Sequence, residues 1–462
     1  MATRSLEQLL QDEGDTVRML RNSQVGAYIY PVVPNEFTNW RDEQRAWQQT
    51  CVLYDQSHHM ASLTVKGKDA AGLLNHLGVN TFENFTVNKA KQYVPCSYSG
   101  HVIGDGILFH HQEEEYEFVG RVPTVNWVQF HAETGDHDVE LIRDDRSPSR
   151  PMGKPVSRRL YRYQIQGPLA EQLLEKLHGG PLPDIRFFNI DHIMIGGRRI
   201  PALRHGMAGQ PGLEIWGPYE EGEEVRTEIL EAGEEFGIVP VGNRAYSTNA
   251  LESGWIPSPL PAVYSDDRMK PYREWLSEDS YEGKGGSIGG SFVSEDIEDY
   301  YVTPHDLGYR SLVRFDHDFI GREALEEIHD QPHRQKVTLA WNGDDVLKVF
   351  ASLFSDDVPY KYIDLPQTNY ASANYDMIVK DDELVGFSMF TGYSYNERTM
   401  LSLATVDPGV EIGDEVEVVW GEPDGGTQKT TVEKPHEQIS IRATVSPAPY
   451  VAEIRESYRP KR

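Results

Sequence analysis

Between about residue 50 and residue 260 the chain alternates strand-like runs with leucine-paced stretches, which restricts this region to a mixed α/β architecture. Ala70, Leu73, Leu74 and Leu77 recur at helical spacing after Gly67-Lys68-Asp69, predicting a helix with one buried face. Leu169, Leu173, Leu174 and Leu177 repeat the pattern after Gly167-Pro168, where proline suits the first helical turn. Val225, Ile229, Leu230 and Phe236 pace a third helix behind the acidic run 220–224, whose carboxylates favour the positive end of a helix dipole. Residues 161–165 and 199–203 read as strands between these helices. Past Gln331-Pro332 the period falls to two. Val337, Leu339 and Trp341 alternate, as do Val416, Val418 and Trp420, so an α/β region over 1–330 is expected to precede an antiparallel β domain over 331–462.

At 462 residues the chain exceeds one compact core and suggests two to four domains. Its 73 acids against 44 Lys and Arg give a formal charge of −29, and no basic cluster reverses that sign locally, which argues against a nucleic-acid partner. Cys51 and Cys96 form no metal-ligand spacing and no disulfide framework, and they suit a reducing cytoplasm. Asp12, Glu13 and Asp15 interrupt the place where an export signal needs an apolar run, and no stretch of about 18 apolar residues occurs, so a soluble cytoplasmic protein without a membrane partner is expected. The glycine-rich stretch 282–292 lacks the order of a phosphate-binding loop and reads as a surface loop.

Two neighbouring segments carry chemistry. Gly212-Leu213-Glu214-Ile215-Trp216 is a strand with one carboxylate among apolar residues, and the segment from Val241 to Trp255 is dense in aromatic and polar side chains. Together they suit a flat, amide-rich heterocycle such as a pterin, because a carboxylate accepts paired hydrogen bonds from an amidine edge.

Several landmarks, in order, resemble the folate-dependent aminomethyltransferase superfamily, which includes the glycine cleavage T-protein. They include Ile103-Gly104-Asp105-Gly106-Ile107, Gln166-Gly167-Pro168, Gly212-Leu213-Glu214-Ile215 and Asp318-Phe319-Ile320-Gly321-Arg322, and the resemblance spans roughly residues 20 to 450. Longer stretches resemble one branch, the tetrahydrofolate-dependent aryl O-demethylases that act on vanillate, 3-O-methylgallate or syringate. Among these are Gly26-Ala27-Tyr28-Ile29-Tyr30-Pro31, Arg204-His205-Gly206-Met207-Ala208-Gly209 and Phe390-Thr391-Gly392-Tyr393. The resemblance implies an α+β fold in which three parts, two of them interleaved α/β subdomains within 1–330, ring a central folate channel. A C-terminal antiparallel β-barrel-like domain completes it, with tetrahydrofolate as methyl acceptor, a methoxybenzoate as donor and no metal.

By the same resemblance Tyr246 is the catalytic acid, where the T-protein pattern carries arginine; on residue type alone this tyrosine reads as ordinary packing. Tyrosine matches the task, since its ordinary pKa of about 10 lies close to that of a phenol leaving group. Arg121 is implied as the clamp for the substrate carboxylate, with a surface pair to Glu117 as the other reading, and Tyr30 and His59 join it in the substrate pocket. Glu214, Gln164, Trp255 and Tyr28 are assigned to tetrahydrofolate. Asp105, the single acid where the T-protein shows two, is left outside the catalytic set. Other readings of the same superfamily are aminomethyl transfer, demethylation of a sulfonium compound, and a non-enzymatic folate-binding factor for iron-sulfur maturation. The Tyr246-Ser247 exchange weighs against the first, the combination of Tyr30, Arg121 and Tyr246 against the second, and the lack of cysteine beyond Cys96 against the third.

Overall fold

The computed structural model describes residues 4–148, 155–257, 259–429, 432 and 434–458. Its N-terminal part contains two sheets. A six-stranded sheet runs in the order Ile238–Pro240, Cys51–Asp55, Leu160–Gln166, Gly212–Pro218, Arg198–Leu203, Ile190–Ile195. Only the pair of Cys51–Asp55 with Ile238–Pro240 is parallel in that sheet. A five-stranded antiparallel sheet runs Lys89–Tyr93, Gly106–Gln112, Glu115–Gly120, Ala61–Lys66, Glu140–Asp144. The two sheets touch at their edges, where Ala90 N donates to Phe188 O at 2.8 Å and Ile190 N donates to Asn88 O at 2.8 Å.

The leucine-paced stretches form the helices Ala70–Leu77, Ala170–His178 and Gly222–Gly233. Leu173 and Leu174 pack with Val225 and Ile229 against Tyr161, Tyr163 and Ile165, and burial of each leucine contributes about 1.5–3 kcal/mol. Two details depart from expectation. Pro168 lies in the turn before its helix, because Gly167 crosses close to Thr50, whose carbonyl would meet a Cβ there at 2.5 Å. The third helix ends at Gly233, leaving Phe236 in a separate 3-10 turn that closes at Gly237 with φ 65°.

In the strand Leu160–Gln166 the side chains alternate between faces. Tyr161, Tyr163 and Ile165 enter the helix-packed core, so Arg162, Gln164 and Gln166 share the opposite face, the one that looks toward the site.

The C-terminal region closes a barrel from Gln335–Trp341, Thr399–Val406, Glu383–Ser394, Asp376–Lys380, Glu415–Trp420 and Ile439–Ser446. It also holds a helix, Gly343–Ser352, whose start is capped by Asn342 accepting from Asp345 N at 3.1 Å. The barrel shares apolar packing with the rest of the chain: Phe387, Leu401 and Leu403 belong to the same cluster as Leu73, Trp127 and Tyr300. Among the described residues no helix is long and apolar enough to cross a membrane.

Candidate active site

A cavity of about 1540 Å³ opens between the two sheets and is bordered by the C-terminal segment near Pro449 and Ile454. A smaller pocket adjoins it, and His59, Met60, Met207 and Trp255 line both. Compounds bound in the two spaces would therefore meet across these four side chains.

The floor of the large cavity is ionic. Glu214 is 4% exposed, and its Oε1 accepts from Arg162 Nη1 at 2.6 Å. Glu214 Oε2 lies 3.8 Å from His205 Nε2. Arg162 also reaches Glu117 at 3.5 Å, and His111 Nε2 pairs with the same carboxylate at 2.9 Å. Burial alone would raise Glu117, but the bond from His111 and the charge of Arg162 outweigh it and hold this carboxyl down to about 2. Glu117 is thus engaged by His111 and Arg162 rather than by Arg121. Glu214 is a buried member of a charged row and not a solvated strand residue. The Glu214 carboxylate and the Arg162 guanidinium together fit a ring that offers N–H donors and carbonyl acceptors along one edge.

Gln164 faces Glu214 across the strand pair but does not line either cavity. Fully buried, it donates to His205 O at 2.8 Å and accepts from Gln56 Nε2 at 3.4 Å. Gln166 accepts from Met207 N and Ala208 N, both at 3.0 Å, and donates to Gln210 O at 2.9 Å. The two glutamines thus fasten the loop 205–210 that supplies Met207 to both spaces. Trp255 donates through Nε1 to Asp105 Oδ2 at 2.8 Å, and the same oxygen accepts from Gln92 Nε2 at 2.7 Å and Tyr309 OH at 2.6 Å. Asp105 is 1% exposed and lines neither cavity; it stands behind three side chains that do line the large one. Burial raises its carboxyl above the ordinary range.

The smaller pocket gathers Tyr28, Tyr30, His59, Arg121 and Tyr246. Tyr246 ends the short helix Asn243–Tyr246, which begins at Gly242, where the backbone of Asn35 passes so close that a Cβ would meet its carbonyl at 2.5 Å. The Tyr246 hydroxyl accepts from Gln56 Nε2 at 3.4 Å. Gln56 lines the large cavity, so the phenol stands in the wall between the two spaces. Burial pushes the Tyr246 phenol well above its ordinary pKa, so it carries its proton throughout the physiological range. The Tyr30 ring lies 4.1 Å from that of Tyr246 and stacks on His59 at 4.6 Å, while its hydroxyl donates to Asp55 O. Tyr28 lines the smaller pocket and donates to His59 O at 2.9 Å. Burial first, and then the guanidinium groups of Arg146, Arg121 and Arg158, push His59 well below its ordinary pKa, so its imidazole is neutral. His58 turns away to Ser147 Oγ at 2.7 Å and Tyr219 OH at 2.9 Å.

Arg121 follows the strand Glu115–Gly120 directly and reaches the pocket from the start of the helix Val122–Thr134. It donates to Pro257 O at 2.8 Å and to Tyr281 OH at 2.9 Å. Sequence reasoning missed Gln56, Arg146 and Arg162. The alternation through 161–166 offered a signal for Arg162; for Gln56 and Arg146 no spacing separates them from surface residues. Among the described residues no group of three or more His, Cys, Asp or Glu side chains is placed to hold a metal ion.

Two joined spaces, one floored by buried charge and the other walled by a protonated phenol, define an enzyme that brings two small molecules into contact. A family model described as the GCVT N-terminal domain matches residues 21–258, and the chain belongs to the GCVT family. It is 49% identical to a syringate O-demethylase of Sphingobium sp. (strain NBRC 103272 / SYK-6), over 98% of both chains. It is 30% identical to a sesamin methylene transferase of Sinomonas sp. (strain No.22), over 92% of this chain and 91% of that one. Among solved structures, the glycine cleavage system aminomethyltransferase T of Bartonella henselae superposes with a TM-score of 0.59 at 15% identity, over 96% of each chain, and shares the fold. Within the family the protein is a tetrahydrofolate-dependent methyltransferase.

Proposed function

We propose that the protein takes the methyl group from a methoxylated aromatic acid, of the vanillate, 3-O-methylgallate or syringate kind, and passes it to N5 of tetrahydrofolate. The products are a phenolic acid and 5-methyltetrahydrofolate. The observation that carries this reading is the buried, protonated Tyr246 in the wall between the two cavities, in a chain 49% identical to a syringate O-demethylase over 98% of its length.

Tetrahydrofolate, with its pterin edge at Glu214, supplies the nucleophilic N5 that accepts the methyl group. The residues of this chain do the rest. As the carbon–oxygen bond of the ether breaks, charge develops on the phenolic oxygen, and Tyr246 OH donates its proton there. The N5 proton released on methylation balances the proton Tyr246 gives up, so the net exchange is one methyl for one proton. In water a tyrosine and a phenol leaving group are nearly matched acids. Burial weakens Tyr246 as an acid, but a phenolate forming in the same pocket meets the same desolvation, which restores the match. Gln56 donates to the Tyr246 oxygen and so leaves the phenol its own proton to give. Tyr30 and neutral His59, stacked on each other, form an aromatic wall for the substrate ring; His59 Nδ1 lies 3.1 Å from the Tyr28 hydroxyl, which leaves Nε2 for a ring substituent. Arg121 meets the carboxylate, a charge costly to bury without a cation. Trp255, fastened by Asp105, lines both spaces at the junction; Gln164 acts from behind through Gln56 and His205.

Incubation of the purified protein with tetrahydrofolate and each of the three acids separately, following phenolic product and 5-methyltetrahydrofolate together, tests the reading. Equal amounts of both products from at least one acid are expected. Phenolic product formed without folate, or no product from any of the three, overturns it.

A further inference from the structure

The smaller pocket contains a second guanidinium that the reaction above does not use. Arg146 follows the edge strand Glu140–Asp144, and its Cζ lies 4.8 Å from the centre of the Tyr28 ring and 5.9 Å from that of Tyr281. Arg121 approaches the same Tyr281 ring at 5.7 Å and donates to its hydroxyl at 2.9 Å. Both cations therefore lie near the Tyr281 ring and line the same small pocket. The acids next to Arg146 in sequence are spoken for: Asp144 pairs with Arg158 at 3.3 Å and Asp145 with Arg143 at 2.7 Å. Among the described residues no carboxylate forms an ion pair with Arg146.

Two guanidinium groups held near aromatic faces in a half-buried pocket repel each other, and the cost is relieved when an anion enters between them. The planar fork of arginine suits a planar carboxylate, and a benzoate ring can lie against Tyr28 and Tyr281 as it binds. We infer that Arg146 is a second carboxylate-binding residue, acting with Arg121 to make the pocket selective for aromatic acids over their uncharged counterparts. This inference rests on the methoxybenzoate reading above and assigns the part of that substrate which Arg146 recognises.

Calorimetric titration of syringate and of methyl syringate into the full chain tests it, with Arg146→Gln and Arg146→Lys compared with the unaltered protein. A lost charge-assisted contact predicts that Arg146→Gln weakens binding of the acid by about tenfold to a hundredfold, while the ester changes by less than about threefold. Arg146→Lys, which keeps the charge and loses the fork, should fall between and guards against a glutamine variant that fails to fold. Equal weakening of acid and ester would mean that Arg146 merely packs against Tyr28, and that result overturns the inference, as does unchanged acid binding in Arg146→Gln or no acid binding by the unaltered protein. Turnover of the unaltered protein with tetrahydrofolate is read separately. Acid-selective binding lost in Arg146→Gln without any turnover would leave this assignment standing and remove the proposed reaction.

Discussion

Tyr30 and Tyr246 lie with ring centres 4.1 Å apart, yet their hydroxyls go to consecutive residues at one strand end: Tyr30 donates to Asp55 O, and Tyr246 accepts from Gln56 Nε2 at 3.4 Å. The end of the strand Cys51–Asp55 thus meets two adjacent phenols, tilted by 45°, in opposite senses. The proton of Tyr30 is committed to a carbonyl. That of Tyr246 is not engaged by the Gln56 contact, because the amide donates to the phenol oxygen.

Tyr246→Phe should therefore lower methyl transfer by about a hundredfold or more, the usual contribution of a positioned acid, while leaving folate affinity and melting temperature close to those of the parent. Tyr30→Phe removes a hydrogen bond without removing the acid, and should cost less than about tenfold. Single-turnover rates with saturating tetrahydrofolate separate the two, and a Tyr246→Phe enzyme with undiminished rate would exclude this phenol from the chemistry.

Glu214→Gln keeps the shape of the side chain but removes the charge opposite Arg162 at 2.6 Å. Glu117, at 3.5 Å, remains to compensate the guanidinium, so the loss of stability should fall short of the roughly 3–5 kcal/mol expected when a buried pair is broken outright. Tetrahydrofolate affinity should drop about tenfold or more, with syringate affinity unchanged. Fluorescence titration of each ligand reads this directly, and folate binding at parental strength would remove Glu214 from the pterin site.

How much of this was legible before the structure depends on the range of the interaction that fixes each feature. Leu73, Leu74, Leu173 and Leu174 face the core because helical period alone puts them there, and Val416, Val418 and Trp420 point into the barrel by the period of a strand. The parallel pairing of Cys51–Asp55 with Ile238–Pro240 joins segments far apart in sequence, which no local pattern encodes. Helix Gly343–Ser352 was hidden within a region whose dominant period is two, although Val346 and Val349 carry helical spacing. The site divides in the same way. Glu214 stood out as a lone acid in an apolar strand. That Tyr28 lines the smaller pocket and Gln164 stands behind Gln56 is not legible, because which wall a side chain joins is decided by chain crossings and not by its neighbours in sequence.

Asp105→Asn offers a test of how far support from behind the wall matters. The present oxygen accepts from Trp255, Gln92 and Tyr309 together. An amide oxygen accepts these bonds more weakly, and a flipped amide would set an N–H against the donors. Trp255 and Gln92 should lose their fixed positions, with tetrahydrofolate KM rising about threefold to thirtyfold and the pH profile of kcat keeping its shape, since the proposed proton donor is Tyr246 and not Asp105. A changed pH profile would mean that Asp105 titrates in the reaction itself.

Glu252 carries the clearest expectation for pH. It is 5% exposed, and burial, reinforced by the charge of Glu397, raises its carboxyl to about 7 despite the bond from Ser394 Oγ at 3.1 Å. In the unfolded chain the same group titrates near about 4.3. Below that pH both states hold the proton and stability is unaffected by it. Between the two values the folded state retains a proton that the unfolded state has released, so stability falls as pH rises through this window and levels off above about 7. The size of the effect is on the order of 3–4 kcal/mol. Glu252→Gln, which is neutral at every pH and can still accept from Ser394, should melt close to the parent at pH 4.5 and progressively higher than the parent from pH 5 to 8. Melting curves of the two proteins that stay parallel across this range would show that Glu252 ionises no less readily in the folded chain than in the unfolded one.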